Sequence, residues 1–163
     1  MTEREWNNGF EPVIDKNSKV LILGSFPSVK SRQIGFYYGN KRNRFWNTVE
    51  KAVGEKVPDS VEDKRKYLIK HKIALWDVIE KADIKGSMDA DIKEQNSKVA
   101  KVSALLEKYD NLILIICNGK KAWEIFNKTC NCTKIKAIYL PSTSPANVVF
   151  SQAEWIKTLR GVL

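Results

Sequence analysis

Two loop-like segments carry the side chains with the clearest chemical potential in this chain. One runs from Gly24 to Ser28 (GSFPS) and the other from Pro141 to Asn147 (PSTSPAN). Each directly follows an apolar run and is rich in hydroxyl groups and turn-forming residues. Hydroxyls, amides and backbone N–H groups can hold a water molecule and stabilise negative charge on a leaving group. The chemistry they favour is a reaction whose leaving group mainly needs to be stabilised.

The motifs of several other enzyme classes are absent from the sequence. It contains no G-x-x-x-x-G-K-[ST] phosphate loop, no G-x-G-x-x-G dinucleotide fingerprint and no G-x-S-x-G nucleophile elbow. The single histidine, His71, lies at a basic helix end and is more typical of a helix terminus than of a catalyst. No carboxylate cluster has metal-ligand spacing, and Cys117, Cys130 and Cys132 are expected to be reduced and non-ligating. We therefore expect no metal and no cofactor.

The charge balance favours a polyanionic partner, either nucleic acid or an acidic membrane surface. Lys and Arg number 28 against 19 Asp and Glu, which gives a net charge of +9. The segment 16–51 alone has eight basic residues and one acid, interleaved with six aromatic residues. Such a segment suits a surface that holds phosphates and stacks on bases, but it equally suits a solvated basic face above core aromatics. Composition alone leaves both interpretations open.

Apolar runs and helical periodicity predict the elements that position these loops. Buried strands are expected at 19–23, 73–79, 112–117 and 135–140, and the polar stretch 81–96 is expected to be irregular. Helices are expected at 43–54, 60–70, 97–109, 120–128 and 151–159. Near-continuous apolar strands separated by helices indicate a parallel sheet covered on both faces. The expected fold class is α/β: a three-layer αβα sandwich with a central, mainly parallel four-stranded sheet, in one domain spanning residues 1–163.

Ligands of open parallel sheets bind beyond the carboxyl ends of the strands, which selects the loops after residues 23, 79, 117 and 140. The segments 24–28 and 141–147 are two of these loops, and we expect them to converge beside the basic segment. No apolar run approaches the roughly 20 residues of a membrane span. The expected location is the cytoplasm.

Two motifs resemble the uracil-DNA glycosylase superfamily. The first comprises Gly24-Ser25-Phe26-Pro27 together with the segment 35–46 (GFYYGNKRNRFW), and the second is the segment 140–147 (LPSTSPAN). They are most similar to the hypoxanthine-DNA (DNA-deoxyinosine) glycosylase branch, which carries G-S-F-P and Y-Y-x-N-x-x-N-x-F-W and is related to the mismatch-specific uracil/thymine glycosylases. Softer matches are Trp76-Asp77-Val78 and Gly86-Ser87-Met88-Asp89.

The resemblance implies a monofunctional enzyme that flips a deaminated base out of DNA and hydrolyses its N-glycosidic bond, leaving an abasic site. Hypoxanthine is the first expected base and uracil the second, and the protein is expected to act as a monomer. By the same resemblance, Asn40 positions the water, with Asn43 as the alternative. The residues implied to form the base pocket are Gly24, Ser25, Phe26, Pro27 and Tyr38. Those implied to contact DNA are Lys41, Arg42, Arg44, Ser142, Thr143, Ser144, Pro145, Ala146 and Asn147. Among these, Pro145, Ala146 and Asn147 are implied to enter the space that the flipped base leaves.

Two other functions remain open. The mismatch-specific branch has a water-orienting Asn where this chain has Phe26, which has no side-chain amide, so one alternative is a catalytically inactive DNA-binding homologue. The other alternative differs only in specificity and is a uracil- or mismatch-specific glycosylase. Asn43 and Asn40 also have structural interpretations, as a helix cap and as a turn residue.

Overall fold

A four-stranded parallel sheet forms the centre of the structure, a computed structural model that describes residues 6–130 and 134–163. Numbered along the chain, the strands are β1 (Asn7–Asn8), β2 (Val20–Gly24), β3 (Ile73–Asp77), β4 (Ile79–Ala82), β5 (Ser97–Val99), β6 (Leu114–Asn118) and β7 (Lys136–Leu140). The helices are α1 (Val29–Ile34), α2 (Phe45–Val53), α3 (Val61–Lys70), α4 (Val102–Lys108), α5 (Lys120–Thr129) and α6 (Gln152–Val162). The central sheet has the order β3-β2-β6-β7.

The strand register places four carboxyl ends at one edge of this sheet. Gly24 pairs with Asp77 across β2 and β3, and Asn118 pairs with Leu140 across β6 and β7. Each strand is therefore followed by a loop at the same edge, as the parallel arrangement requires. The segments 24–28 and 141–147 leave from this edge.

Helices cover both faces of the sheet because successive strand residues point to opposite sides. Val20 and Ile22 belong to a core cluster with residues of α2, α3 and α6, whereas Leu21 and Leu23 belong to a second cluster with residues of α4 and α5. Trp155 of α6 is fully buried in the first cluster. The expected αβα sandwich with four parallel strands is confirmed.

A second, antiparallel sheet of order β1-β4-β5 was not expected from the sequence. The apolar run 73–79 is not one strand: β3 ends at Asp77, and Ile79 begins β4 in the other sheet. Ser97, expected to open a helix, instead begins β5, and that helix starts at Val102. Periodicity misses such breaks because both sides of the break are buried, so the apolar pattern continues through them.

Helix α1 was also missed, because six residues are too few for a periodic signal. Its ends are nevertheless well formed. The Ser28 hydroxyl accepts a hydrogen bond from the Ser31 backbone N–H, and Gly35 closes the helix at φ +83°, a conformation suited to glycine. No helix within the described residues is long and apolar enough to cross a membrane.

Candidate active site

A cavity of about 550 Å³ opens at the carboxyl edge of the central sheet. Its volume lies within the range of about 300–1,000 Å³ typical of small-molecule pockets. The loops after β2 and β7 both contribute to its walls, so the expected convergence of these loops is observed. Of the residues predicted to form the site, those that line it are Gly24, Ser25, Phe26, Pro27, Tyr38, Asn40, Asn43, Ser142, Thr143, Ser144, Pro145, Ala146 and Asn147.

Asn40 and Asn43 face the same cavity but have different local partners. The Asn40 Oδ1 accepts a hydrogen bond from the Arg42 backbone N–H at 2.9 Å. The Asn43 Oδ1 accepts one from the N–H of Phe45, the first residue of α2, also at 2.9 Å. Asn43 therefore satisfies a free donor at a helix N-terminus, whereas Asn40 only shapes a turn. A carbonyl oxygen has a second lone pair, so Asn40 retains the capacity to hold a water molecule.

Tyr38 is held in an unusual conformation on the cavity wall. Its φ is +53°, in the left-handed region that a residue with a bulky side chain seldom adopts. Its ring stacks on Phe45, with the ring centroids 4.0 Å apart, and its hydroxyl accepts a hydrogen bond from Asn118 Nδ2 at 3.2 Å. Burial raises the pKa of the Tyr38 hydroxyl well above its usual value, with Asp77 the next cause. The hydroxyl therefore remains protonated at neutral pH.

Asn118 is a site residue that the sequence reasoning missed. Besides Tyr38, its Nδ2 donates to the Thr143 hydroxyl at 3.0 Å, and its Oδ1 accepts from the Thr143 backbone N–H at 3.0 Å. One buried amide thus joins the end of β6 to the loops that carry Tyr38 and Thr143. The available signal was a polar residue closing an otherwise apolar strand at the carboxyl edge.

The same contacts correct one assignment. Thr143 was expected to contact DNA, but it is fully buried, and both its hydroxyl and its backbone N–H are bound to Asn118. It has no exposed surface to offer a phosphate. Thr143 supports the loop from beneath.

Replacing Asn118 by alanine is expected to lower the free energy of unfolding by about 2 kcal/mol or more. The buried Thr143 N–H would lose its acceptor, and each buried polar group left without a hydrogen-bond partner costs about 1–3 kcal/mol. Urea unfolding followed by circular dichroism measures the loss. Asn111→Ala is the matched control, since the exposed Asn111 amide makes one hydrogen bond, to the Lys16 carbonyl, and should cost within about 0.5 kcal/mol. Equal losses would contradict the role of Asn118.

Arg44 points into the protein and holds the loop after β7. Its Nη2 donates to the carbonyl oxygens of Ser144 at 2.6 Å and Asn147 at 2.8 Å, and its guanidinium lies 4.1 Å from the centre of the Phe150 ring. Its backbone N–H also donates to the Thr143 carbonyl. Arg44 was expected to contact a phosphate, but in the structure its guanidinium donates hydrogen bonds to the loop after β7. Lys41 and Arg42 are exposed outside the cavity and stay predicted DNA contacts.

Arg44→Lys is expected to weaken duplex binding almost as much as Arg44→Ala. Lysine keeps the charge but cannot reproduce the planar fork that holds two carbonyl oxygens at once. Fluorescence anisotropy at several salt concentrations measures both affinity and the salt slope. Arg42→Lys is the control and should bind like the unchanged protein, because a phosphate contact needs only the charge. If Arg44→Lys also binds normally, Arg44 is a phosphate contact after all.

Residues 87–90, which follow β4 in the chain, also line the cavity. The Ser25 hydroxyl donates to Asp89 at 2.5 Å, and the Arg32 guanidinium donates to the Gly86 carbonyl at 2.9 Å. The guanidinium of Arg32 also lies 5.6 Å from the centre of the Phe26 ring. The loop after β2 and helix α1 are therefore each joined to the segment 86–89 by a side-chain hydrogen bond. Phe26 lines the cavity without a polar group of its own.

Asp77 lies at the end of β3 and lines the cavity beside Gly24. A Cβ on residue 24 would lie 2.6 Å from Asp77 Oδ1 and 3.4 Å from the Tyr38 hydroxyl, so only glycine fits there. Burial raises the pKa of Asp77 to about 7, and the charge of Asp89 contributes. A buried carboxyl with a displaced pKa in a cavity marks a functional site.

His71, Cys117 and Cys130, the other residues considered for catalysis or metal binding, do not line the cavity. Within residues 6–130 and 134–163, no group of three or more His, Cys, Asp or Glu side chains has the arrangement of a metal site. Cys117 and Cys130 are buried free thiols, and Cys132 lies outside the described residues. His71 ends helix α3 and pairs with Glu55, which confirms a helix-terminal role.

Comparisons with known proteins identify the family to which this site belongs. The family model described as the uracil DNA glycosylase superfamily matches residues 11–160, and the chain belongs to that superfamily. It is 38% identical over 156 residues to a hypoxanthine DNA glycosylase of Methanosarcina acetivorans, covering 93% of this chain and 97% of the relative. A hypoxanthine DNA glycosylase of Methanosarcina barkeri is 37% identical over 117 residues, covering 71% of this chain and 73% of the relative.

A solved structure supports the fold independently. The solution NMR structure of a candidate uracil DNA glycosylase from Methanosarcina acetivorans superposes with a TM-score of 0.83 at 36% identity. The superposition covers 97% of this chain and 99% of the other.

Proposed function

We propose that this DNA glycosylase releases hypoxanthine from DNA, with uracil as a second substrate, and leaves an abasic site without cutting the strand. The observation that carries the proposal is the single cavity that brings Asn40 together with both motif loops. The names of the two relatives favour hypoxanthine over uracil as the first base. A glycosylase must draw its nucleotide out of the duplex, and this cavity is large enough to hold a base.

In the proposed reaction a water molecule held by the Asn40 amide attacks the anomeric carbon of the sugar. The water oxygen bonds to C1′ while the electron pair of the C1′–N bond leaves with the base. The base takes up the proton that the water gives up. Backbone N–H groups at Ser25 and Phe26, on the cavity wall, would stabilise the charge that develops on the base.

The monofunctional assignment concerns the lysines near the cavity. Lys41 is exposed and does not line the cavity, whereas Lys30 and Lys120 line its rim and are also exposed. A lysine becomes a nucleophile when it is desolvated, which an exposed side chain is not. Borohydride should therefore trap no protein–DNA adduct, and strand scission lost with one of these lysines would refute the assignment.

The structure changes which residues we propose to fill the space left by the flipped base. The sequence pointed to Pro145, Ala146 and Asn147, but Asn147 is tied into its loop by hydrogen bonds to Ser142 and Arg44. The next two residues, Val148 and Val149, have exposed fractions of 93% and 76%. Apolar wedges of this kind separate base steps in distorted DNA. We therefore assign the wedge to Val148 and Val149.

Base release from duplex oligonucleotides in EDTA tests the proposed function. The substrates carry one hypoxanthine, one uracil or no lesion, and alkali-labile sites report release. Release of hypoxanthine is the expected result, and release of uracil alone would make this a uracil-specific glycosylase. Binding without any release would favour the inactive homologue that Phe26 leaves open.

Two further properties are proposed and not yet tested. One is that the protein acts as a monomer; light scattering of the protein with and without DNA measures this directly. A cytoplasmic location stays a prediction.

A further inference from the structure

Asp77 is a buried carboxyl that the proposed reaction has not yet used. Its exposed fraction is 6%, and its Oδ2 is sealed from solvent without a hydrogen-bond partner. No ion pair to Asp77 forms among the described residues. Because Oδ2 is sealed, the contact Asp77 offers to the cavity runs through Oδ1, beside Gly24.

The surroundings of Asp77 oppose a negative charge. A buried carboxylate needs a counter-ion or several donors, and the sealed Oδ2 has neither. Tyr37 and Tyr38 face it from the segment after α1, and Asp89 faces it from the segment after β4. The lysines of the cavity, Lys30 and Lys120, lie at its exposed rim. Burial first and Asp89 second raise the pKa of Asp77 to about 7.

A neutral group at this place suits the proposed reaction better than a charged one. A base that leaves with the bonding electrons becomes negative, so a carboxylate beside it would oppose bond cleavage. A carboxylic acid in the same place has one O–H donor, and a donor aimed at developing charge is an effective catalytic contact.

We propose that Asp77 acts as a neutral carboxylic acid and donates a hydrogen bond from Oδ1 to the carbonyl oxygen of the flipped base. The proton stays on Asp77 throughout, so the step adds no acid or base to the reaction. The proposal rests on the proposed function, because it assigns a contact to a base that the enzyme releases.

This contact would distinguish a deaminated base from the base that it came from. Deamination replaces an exocyclic amine by a carbonyl, both in adenine and in cytosine. An O–H donor pairs with the carbonyl of hypoxanthine or uracil, but it meets another donor in the amine of the normal base. Sites that leave buried polar groups unpaired reject the wrong ligand strongly. In its neutral form, one acid group would therefore favour both deaminated bases over their parents.

Base release by Asp77→Asn and Asp77→Leu shows whether Asp77 acts as a neutral acid or as a carboxylate. Both substitutions keep the number and branching of the side-chain heavy atoms, although leucine is larger, and only asparagine supplies an N–H donor. Single-turnover release of hypoxanthine and uracil is measured between pH 5 and 9. Asp77→Asn should retain activity to within about tenfold near pH 6, whereas Asp77→Leu should lose about 10²–10³-fold, the usual effect of removing one such donor.

The pH dependence of base release tests the protonation state of Asp77 independently. The unchanged protein should lose activity about tenfold per pH unit above about pH 7, where Asp77 ionises, and Asp77→Asn should lack this decline. Asp89→Asn keeps an acceptor for Ser25 but removes the neighbouring charge. It should lower the pKa of Asp77 and move the decline to lower pH.

Thermal unfolding tests the protonation state without any substrate. The pKa of Asp77 is raised from 3.8 to about 7 by folding, so its cost to stability grows between those values and is constant above them. The Tm of Asp77→Asn should therefore exceed that of the unchanged protein by an amount that increases over this range. A Tm difference independent of pH would overturn the neutral acid, and so would a folded Asp77→Asn inactive at every pH. A fully active Asp77→Leu would exclude the contact.

The two proposals fail in different ways. An unchanged protein that releases neither base overturns the proposed function, and the donor role with it. An active unchanged protein with an inactive Asp77→Asn overturns the donor role alone, and assigns Asp77 to the carboxylate form. If Asp77→Leu does not fold, the comparison of Asp77→Asn with the unchanged protein still decides.

Discussion

Asn40→Ala is expected to reduce single-turnover base release by about 10²-fold or more while leaving duplex affinity nearly unchanged. The Asn40 side chain lines the cavity and spends only one lone pair, on the Arg42 N–H. Removing the group that orients the attacking water affects the chemical step, in which a misplacement of about 1 Å can cost about 10²-fold. Rapid-quench measurement of base release, with binding measured by anisotropy, separates the two effects.

Asn43→Ala is the matched control for this result. Asn43 accepts from the first N–H of α2, so its loss should cost about 1 kcal/mol of stability, the usual value of a helix cap, and little activity. Equal, small losses of release in the two variants would refute the assignment of the water to Asn40. A large loss confined to Asn43→Ala would transfer the role to Asn43.

Replacing Val148 and Val149 together by alanine is expected to lower release from duplex DNA about tenfold or more, with little effect on single-stranded substrate. The two side chains are among the most exposed apolar groups of the described chain and lie just beyond the loop that Arg44 holds. Opening a base step costs a few kcal/mol, which a wedge offsets only in a duplex. Parallel assays on the two substrates give the ratio directly.

A second double variant tests the position first expected for the wedge. Pro145→Ala with Ala146→Gly should leave the ratio of duplex to single-strand release close to that of the unchanged protein. If this variant shows the larger effect, the wedge lies at 145–146. Parallel losses on both substrates after changing the valines would indicate damage to the cavity and contradict a wedge.

The sequence was sufficient for the central sheet and for most of the cavity wall. Buried parallel strands give near-continuous apolar runs, and their carboxyl ends must meet at one edge, so the two motif loops were placed correctly. Two smaller elements, β4 and α1, were not predicted. Strand β4 continues an apolar run that already belonged to β3, and α1 is too short to show a period.

Side-chain partnerships were the part that sequence could not supply. Arg44 stands in a run of cations and was taken for a phosphate contact, but its partners are carbonyls about one hundred residues away. Asn118 and Thr143 are 25 residues apart and meet only because β6 and β7 are neighbours. The pKa of Asp77 depends on its burial and on the charge of Asp89, and the sequence around Asp77 predicts neither.

The contact between Gly24 and Asp77 constrains the order in which this site can change. Because a methyl group at position 24 would collide with Asp77 Oδ1, Gly24→Ala is obstructed as long as the aspartate is present. Shortening residue 77 first would remove the obstruction, but it would also remove the acid. The two positions are therefore epistatic: the effect of Gly24→Ala depends on the side chain that stands at position 77.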